Sequence, residues 1–387
     1  MIFTKDDLDP TTIQTIHCST CSTCLVLELN KFEQIIEDIE IKIEQLPILI
    51  CPSCDKKYLP QKTRLFLKWV VKEGKKKSET KFYSPKHSLD KRYNFCENVN
   101  FLYEATDYNY IPGLMRPWND GALTPVFFKK TVLHKFLSDD DYTVTLGSNT
   151  YGTIYHPHGY ISFGINRNGK VIAWLKDLDK LPLEEQHYFR SSNVKSDHDI
   201  CSQFYDAQIE VKWPVQSQER LLLMKKEEFE KGCKENFNLK ISRYTDDIDE
   251  VLEKIQRPVF WNEKNVMYVI NSLNKITTES FNSIEIKKEI EKLDSDFETM
   301  GLGSLKLLQK LIQLKFPELD AEEIVKSFFV LNDFRLVLDH RIDNPEKVLD
   351  SCYERMGITE NKDLETLYDT IFKGMTNSYT KLNEKFS

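Results

Sequence analysis

Two Cys-x2-Cys pairs constrain this chain more than any other feature of its sequence. Cys21 and Cys24 form one pair, and Cys51 and Cys54 form the other. Thiolates at this spacing can reach one metal ion, and four of them complete the tetrahedron that Zn²⁺ prefers. The pattern therefore predicts a zinc site that holds two separate N-terminal segments together.

The ligand set has an alternative, because Cys18 and Cys21 show the same spacing as the other pairs. In this alternative Cys18 replaces Cys21. Four protein ligands leave no coordination position for water, so we expect a structural zinc ion. The odd total of nine cysteines fits a reducing cytoplasm and a metal better than a disulfide framework.

The segments around the cysteine pairs also carry local patterns. An amphipathic helix that ends at Pro47 is expected between the pairs, because apolar residues recur there at helical spacing. These residues are Phe32, Ile35, Ile36, Ile39, Ile43 and Leu46. From Arg64 to Val71 we expect a strand, followed by a basic turn at Lys75–Lys77 and a connection over 73–92.

The middle of the chain reads as a mixed α/β domain. Asn168-Gly169 separates two apolar runs and predicts a β-hairpin. Histidines and carboxylates nearby raise a further hypothesis, a hydrolase site at which His158, Asp197 and His198 would converge in a cleft.

The last third of the chain has the periodicity of consecutive helices, at about 262–274, 283–295, 304–315, 320–340, 345–356 and 362–385. The fold class expected is thus a multidomain α+β protein. It would have a zinc-ribbon-like module over 1–60, a central α/β domain over 61–257 and a helical bundle over 258–387.

One of these helices carries a charged pair near its end. Asp320 is the expected N-cap, and Arg335 lies on the same stripe as Ile324 and Phe328. His340 would diverge from Arg335 by about 140° on a straight helix. The helix must therefore end or loosen near Asp339 if the two side chains act together, unless two copies of the chain share the site.

Arg335 followed after four residues by His340 resembles the signature of the HEPN ribonucleases of toxins and anti-phage systems. Histidine can act as base or acid toward RNA, and arginine can stabilise charge on the phosphate. With the cysteine pairs, the chain resembles the ring-activated zinc-finger ribonucleases. It departs from the HEPN pattern at Leu336, where the family often has a polar residue.

This resemblance implies an endoribonuclease of anti-phage defence (abortive infection). It would need no catalytic metal, and would leave a 2′,3′-cyclic phosphate and a 5′-hydroxyl. Arg335 and His340 would be its catalytic residues. The chain would act as a dimer or a higher oligomer after sensing a phage component. The alternative is a non-catalytic zinc-containing adaptor whose bundle serves for dimerisation or partner binding.

Composition limits these possibilities further. The net charge of −8 argues against a chain that coats nucleic acid along its whole surface, so an RNA site would be local. No stretch approaches the roughly 18 apolar residues of a membrane span. Residues 1–7 lack the apolar core of a signal peptide. We therefore expect a cytoplasmic protein without a membrane partner.

Overall fold

The computed structural model describes residues 3–4, 6–9, 11–85 and 90–386. The chain forms two compact units, Met1–Val215 and Gln216–Ser387. The division differs from the expected boundaries after residues 60 and 257 for two reasons. The helix that begins at Gln61 packs on the strands that precede it, and the helix Gln218–Phe237 contributes Leu222 and Phe229 to the C-terminal core.

The first sheet of the N-terminal unit is built around one central strand. Its strands are β1 (Val26–Ile36), β2 (Ile39–Ile50), β3 (Lys57–Tyr58) and β4 (Lys81–Ser84). Strand β2 pairs antiparallel with β1 and β3 and parallel with β4. The expected helix between the cysteine pairs is therefore wrong, because this segment is the β1–β2 hairpin.

The sequence of the hairpin explains the error. Ile39, Ile41 and Ile43 alternate with polar residues and are buried, as one face of a strand requires. Isoleucine is β-branched and favours strands, although some of these positions also fit a helical period. Glu37 and Asp38 form the two-residue turn with positive φ angles of 49° and 70°, as a type I′ hairpin turn needs.

The expected strand over 64–71 is also wrong, because helix α1 spans Gln61–Lys77. Its buried face includes Arg64, Leu67 and Val71, at helical spacing. Lys75–Lys77 form its last turn, where cations interact favourably with the helix dipole. Gly74 allows the helix to approach β2, because a Cβ there would lie 2.6 Å from Ile39 Cδ1.

The second sheet of this unit has six strands in the order β10-β5-β9-β8-β7-β6, all antiparallel. The strands are β5 (Pro125–Phe128), β6 (Thr143–Ser148), β7 (Tyr151–His156), β8 (Gly159–Ile165), β9 (Val171–Trp174) and β10 (Asn193–Val194). Strands β8 and β9 form the hairpin predicted at Asn168-Gly169, where Gly169 has a φ of 71°.

Short helices accompany these strands. They are α2 (Ala105–Tyr110), α3 (Leu133–Ser138), α4 (Leu175–Asp179), α5 (Leu183–Ser191) and α6 (Gln203–Gln208), with 3₁₀ turns at Asp6–Leu8 and Lys130–Val132. The expected connection over 73–92 contains the end of α1 and strand β4, and its residues 86–89 lie outside the described part of the chain.

The described residues of the C-terminal unit form helices without strands. These are α7 (Gln218–Phe237), α8 (Ile248–Glu253), α9 (Glu263–Thr277), α10 (Ser283–Leu293), α11 (Ser304–Lys315), α12 (Ala321–Leu338), α13 (Pro345–Arg355) and α14 (Leu364–Phe386). The predicted C-terminal helices are present, with small shifts at their ends. Helix α12 is central, because it packs against α9, α11, α13 and α14.

Candidate metal centre and the Arg335 and His340 region

The backbone around Cys18 matches the backbone around Cys51. The Cys18 carbonyl accepts a hydrogen bond from the Ser22 amide at 2.9 Å, and the Cys51 carbonyl accepts one from Asp55 at 2.9 Å. The Cys18 amide donates to the Thr23 carbonyl at 2.8 Å, and the Cys51 amide donates to Lys56 at 2.9 Å. Each segment is therefore one turn of the same shape.

The residue after the second cysteine of each turn is also in the same conformation. Ser22 has a φ of 58° and Asp55 a φ of 55°. Left-handed backbone is uncommon for residues other than glycine. Its presence at equivalent positions identifies Cys18–Cys21 and Cys51–Cys54 as the two matched knuckles.

The four thiols of these knuckles converge. Their sulfur atoms all lie within 4.8 Å of one another. The Sγ atoms of Cys18 and Cys54 are 3.6 Å apart, those of Cys21 and Cys51 are 3.4 Å apart, and those of Cys21 and Cys54 are 3.7 Å apart. Zn–S bonds of about 2.3 Å place sulfurs about 3.8 Å apart in a tetrahedron. This donor set thus fits a tetrahedral metal ion.

The preferred ligand set of the sequence analysis needs a correction, and so does its alternative. Cys24 does not join Cys21, Cys51 and Cys54, and Cys18 joins Cys21 instead of replacing it. Cys24 is buried and interacts with the thiol of Cys201, which together with burial raises the pKa of Cys24. The spacing could not exclude Cys24, because Cys21–Cys24 has the same length as the true knuckles.

The surroundings of Cys18 favour its metal-binding form. The Tyr58 hydroxyl lies 3.2 Å from Cys18 Sγ and lowers the pKa of this thiol to about 5. The Thr20 amide also donates to this sulfur at 3.4 Å. A thiol must be deprotonated to bind a metal, so these contacts prepare Cys18 as a ligand. The role of Tyr58 was missed, because it follows from strand β3 and not from a motif.

Arg335 and His340 lie at the C-terminal end of helix α12, which ends at Leu338. Asp339 is the C-cap, and His340 adopts a left-handed conformation with a φ of 52°. The helix thus ends near Asp339, which is the condition under which Arg335 and His340 of one chain could act together. The His340 side chain is exposed and has no hydrogen bond or ion pair to the described residues.

Arg335 is more restricted than His340. Its side chain is 20% exposed and forms an ion pair with Glu279, which is 50% exposed. Its Nε is buried and lacks a hydrogen-bond partner within the described residues. Glu279 follows the end of α9 and was missed, because no sequence pattern connects positions so far apart. The guanidinium therefore keeps donor capacity but already faces a carboxylate.

Acidic and amide groups surround this helix end. Asp339 accepts a hydrogen bond from the Asn271 side-chain amide at 2.9 Å, and it lies 3.6 Å from Arg341 Nε. On an adjacent turn of α12, Asp333 pairs with Arg355 at 2.5 Å. The local surface therefore carries both signs of charge and is not a broad basic patch.

The hypothesis of a hydrolase site formed by His158, Asp197 and His198 is not supported by the geometry. His158 follows the end of β7, and its backbone amide donates to His156 Nδ1. Asp197 accepts hydrogen bonds from Asn166 and Asn168. His198 interacts with Asp107. The three side chains therefore take part in separate interactions.

Asp107, the partner of His198, belongs to α2 and is fully buried. His198 Nδ1 lies 2.5 Å from Asp107 Oδ1, and the Ser196 hydroxyl donates to Asp107 Oδ2 at 2.6 Å. Burial lowers the pKa of His198, but the hydrogen bond and charge of Asp107 outweigh it, so the net shift is upward. No sequence pattern indicates this pair, because its members are brought together only by tertiary folding.

A second polar cluster stands beside the metal centre. His17 Nε2 lies 2.8 Å from Asp206 Oδ1 and 3.7 Å from Glu210 Oε2, and these groups could together hold a cation. Lys212 already forms an ion pair with Glu210. The cluster is explained as an ion-pair network that attaches the first knuckle to the end of α6.

None of the helices in the described residues has both the length and the apolar character that crossing a membrane requires. Comparisons with protein-family models, with curated proteins and with solved structures each found no match for this chain.

Proposed function

We propose that the C-terminal unit is a metal-independent endoribonuclease of the HEPN type. The observation that carries this proposal is the end of helix α12. The helix stops at Leu338, and the left-handed His340 presents an exposed imidazole directly after the turn that contains Arg335. A left-handed residue directly after the C-cap is a common way to end a helix, and here it leaves the imidazole accessible to a substrate.

The chemistry follows from these two groups. The 2′-oxygen of the substrate attacks the adjacent phosphorus, and the bond from phosphorus to the 5′-oxygen breaks. A base accepts the 2′-hydroxyl proton, an acid protonates the 5′-oxygen, and the products are a 2′,3′-cyclic phosphate and a 5′-hydroxyl. Imidazole serves as base or acid near neutral pH, and the guanidinium stabilises the charge on the phosphate.

The proposed enzyme acts as an oligomer. His340 is the only histidine of the C-terminal unit. If the base and the acid are both imidazoles of this unit, they must therefore come from two copies, most simply across a two-fold axis. In this proposal the N-terminal unit, with a structural zinc ion at its four cysteines, senses a phage component and triggers assembly in anti-phage defence.

The first experiment measures cleavage of a labelled RNA by the purified wild type and by Arg335→Ala, Arg335→Lys and His340→Ala. We expect losses of about 100-fold or more in both alanine variants, as is typical when an acid–base group is removed. Arg335→Lys should rescue poorly, since an ammonium lacks the planar fork of guanidinium. Arg341→Ala is the matched control, because it removes a neighbouring exposed cation.

Circular dichroism must show the same helix content in all these proteins. EDTA should leave cleavage unchanged as long as the zinc content is retained. Wild-type cleavage rates in His340→Ala would contradict the proposal. Full activity from a species that light scattering shows to be monomeric would contradict the shared site.

One observation favours a second candidate, the zinc-containing adaptor. The ion pair between Arg335 and Glu279 can be purely structural, since it connects α12 to the end of α9. The variant Glu279→Gln separates the two candidates. It should maintain or increase RNA cleavage if Arg335 binds phosphate, because the competing carboxylate is gone. It should lower only the stability of the bundle, with no RNA cleavage in any variant, if the chain is an adaptor.

A further inference from the structure

A cavity of about 340 Å³ lies beside the beginning of helix α1 in the N-terminal unit. It is lined by the first turn of α1, by the segment 11–14, and by the end of α2 with the chain that follows it. No carboxylate is among the lining residues that the structure describes, although the chain as a whole has a net charge of −8. Two cations, Lys62 and Arg64, do line it.

Arg64 is buried and Lys62 is half-buried, and neither has a carboxylate in contact. The Lys62 ammonium donates to the side-chain carbonyl of Asn109, and burial lowers the pKa of Lys62. The charge of Asp120 raises the pKa of Lys62 without a hydrogen bond between them, and the charge of Lys91 lowers it. A partly desolvated ammonium bonded only to a neutral amide lacks a counter-charge, so an anion in the cavity would stabilise it.

Arg64 is 5% exposed. Two of its nitrogens donate to the carbonyls of Asp9 and Thr12, each at 2.7 Å. Its Nε is buried without a hydrogen-bond partner within the described residues. Burial lowers the pKa of Arg64, and the charge of Asp9 opposes this. The guanidinium is thus held rigidly at the cavity while its charge is left largely uncompensated.

The start of α1 adds a third favourable element. The helix has 17 residues, and its N-cap, Pro60, provides no side-chain hydrogen bond to the first turn. The amides at the start of a helix and the positive end of its dipole bind phosphate and similar anions. Because Lys62 belongs to this turn, the amide dipoles and the ammonium act on the same end of the cavity.

We propose that this cavity binds a small phosphate-bearing molecule of about the size of a mononucleotide. The phosphate lies against Lys62 and the first turn of α1, and the remainder packs against the apolar wall of Ile111, Met115 and Pro117. A volume of 340 Å³ is in the range of small-molecule sites. This inference is independent of the proposed ribonuclease activity, since it involves only the N-terminal unit.

The test is isothermal titration of the full-length, zinc-loaded protein with adenosine 5′-monophosphate, inorganic phosphate and adenosine. We expect the monophosphate to bind, phosphate to compete with it, and adenosine to fail. Lys62→Gln should weaken binding about tenfold or more, because a charge-assisted contact is lost. Lys72→Gln removes the same charge from an exposed position of α1 and should bind as the wild type does.

Three results would overturn the proposal. The first is no binding of the monophosphate or phosphate by the wild type. The second is an equal loss in Lys62→Gln and Lys72→Gln, which would indicate long-range attraction and no site. The third is a short oligoribonucleotide that binds at this position more tightly than the mononucleotide, which would make the cavity part of an RNA surface.

Discussion

Whether a cysteine thiol can reach the candidate metal site depends on the backbone turn that carries the residue. Cys18 and Cys24 both lie three positions from Cys21, yet only Cys18 begins a turn with the hydrogen bonds of the Cys51 knuckle. Cys24 instead has a paired backbone, in a β-bridge with His17. The direction of a thiol therefore depends on the turn that carries it.

This leads to a prediction about metal content. The purified wild type should contain about one zinc ion per chain, as four thiolates bind one ion. Cys18→Ser, Cys51→Ser and Cys54→Ser should each lose most of it, whereas Cys24→Ser should retain it. Elemental analysis at matched protein concentration measures this. Loss of zinc in Cys24→Ser together with its retention in Cys18→Ser would contradict the ligand assignment.

A second prediction at this scale concerns His198. Its pKa is raised in the folded protein above its usual value of 6.5, so the protonated form stabilises the fold. This stabilisation is complete below about pH 6.5 and is lost as the pH rises through the raised pKa. The difference in unfolding free energy between the wild type and His198→Gln should therefore be constant below about pH 6.5 and fall as the pH rises above it.

Urea titrations at several pH values measure this difference, and the comparison with a variant removes the pH dependence of the metal centre. Asp107→Asn should lower the pKa of His198, which NMR of the imidazole can follow. A difference that is constant with pH would contradict the assignment of the proton to this pair.

Among the elements, the β1–β2 hairpin depends most on its turn. Asp38 is exposed and has a φ of 70°, where glycine is favoured over other residues. Asp38→Ala should therefore destabilise the protein relative to Asp38→Gly, by roughly 1 kcal/mol, because alanine is strained at a positive φ and glycine is not. Chemical denaturation of both variants measures this, and an alanine variant as stable as the glycine variant would contradict the turn geometry.

The swapped assignments of the hairpin and α1 have a common cause. Phe32, Ile36 and Ile39 recur at a helical spacing. The same residues are also buried in the hairpin, whose two strands run in opposite directions. From Arg64 to Val71 the chain is rich in apolar and aromatic residues, which single-sequence rules assign to strands. The secondary structure of both segments depends on the packing of the buried α1 face against β2. This packing is a long-range interaction that local sequence patterns do not reveal.

At the scale of the whole molecule, each unit has its own core. One core consists of residues between Leu222 and Phe386, and another lies between the first sheet and α1. Zinc should therefore stabilise only the N-terminal unit. Chelation should lower its unfolding temperature by roughly 10 °C or more, since closing a metal site contributes several kcal/mol and each corresponds to roughly 2–4 °C.

Hydrogen-exchange mass spectrometry before and after chelation distinguishes the two units. We expect faster exchange in β1, β2 and the two knuckles, and unchanged exchange in α9, α12 and α14. The variant Cys24→Ser serves as control, since it should respond to the chelator as the wild type does. Equal destabilisation of both units would show that they do not unfold separately.

Some features of this protein were determined by local sequence. The C-terminal helices and the hairpin at Asn168-Gly169 were predicted, because their apolar periods, caps and turn residues act within a few positions of one another. The existence of a four-cysteine site also followed from spacing alone.

Other features were decided only by tertiary structure. The choice of Cys18 over Cys24, the pairing of His198 with Asp107 and the pairing of Arg335 with Glu279 all join segments that no local pattern connects. A thiol, an imidazole or a guanidinium finds its partner only after sheets and helices have packed. The energy of such a contact therefore depends on the burial and orientation that the whole fold imposes.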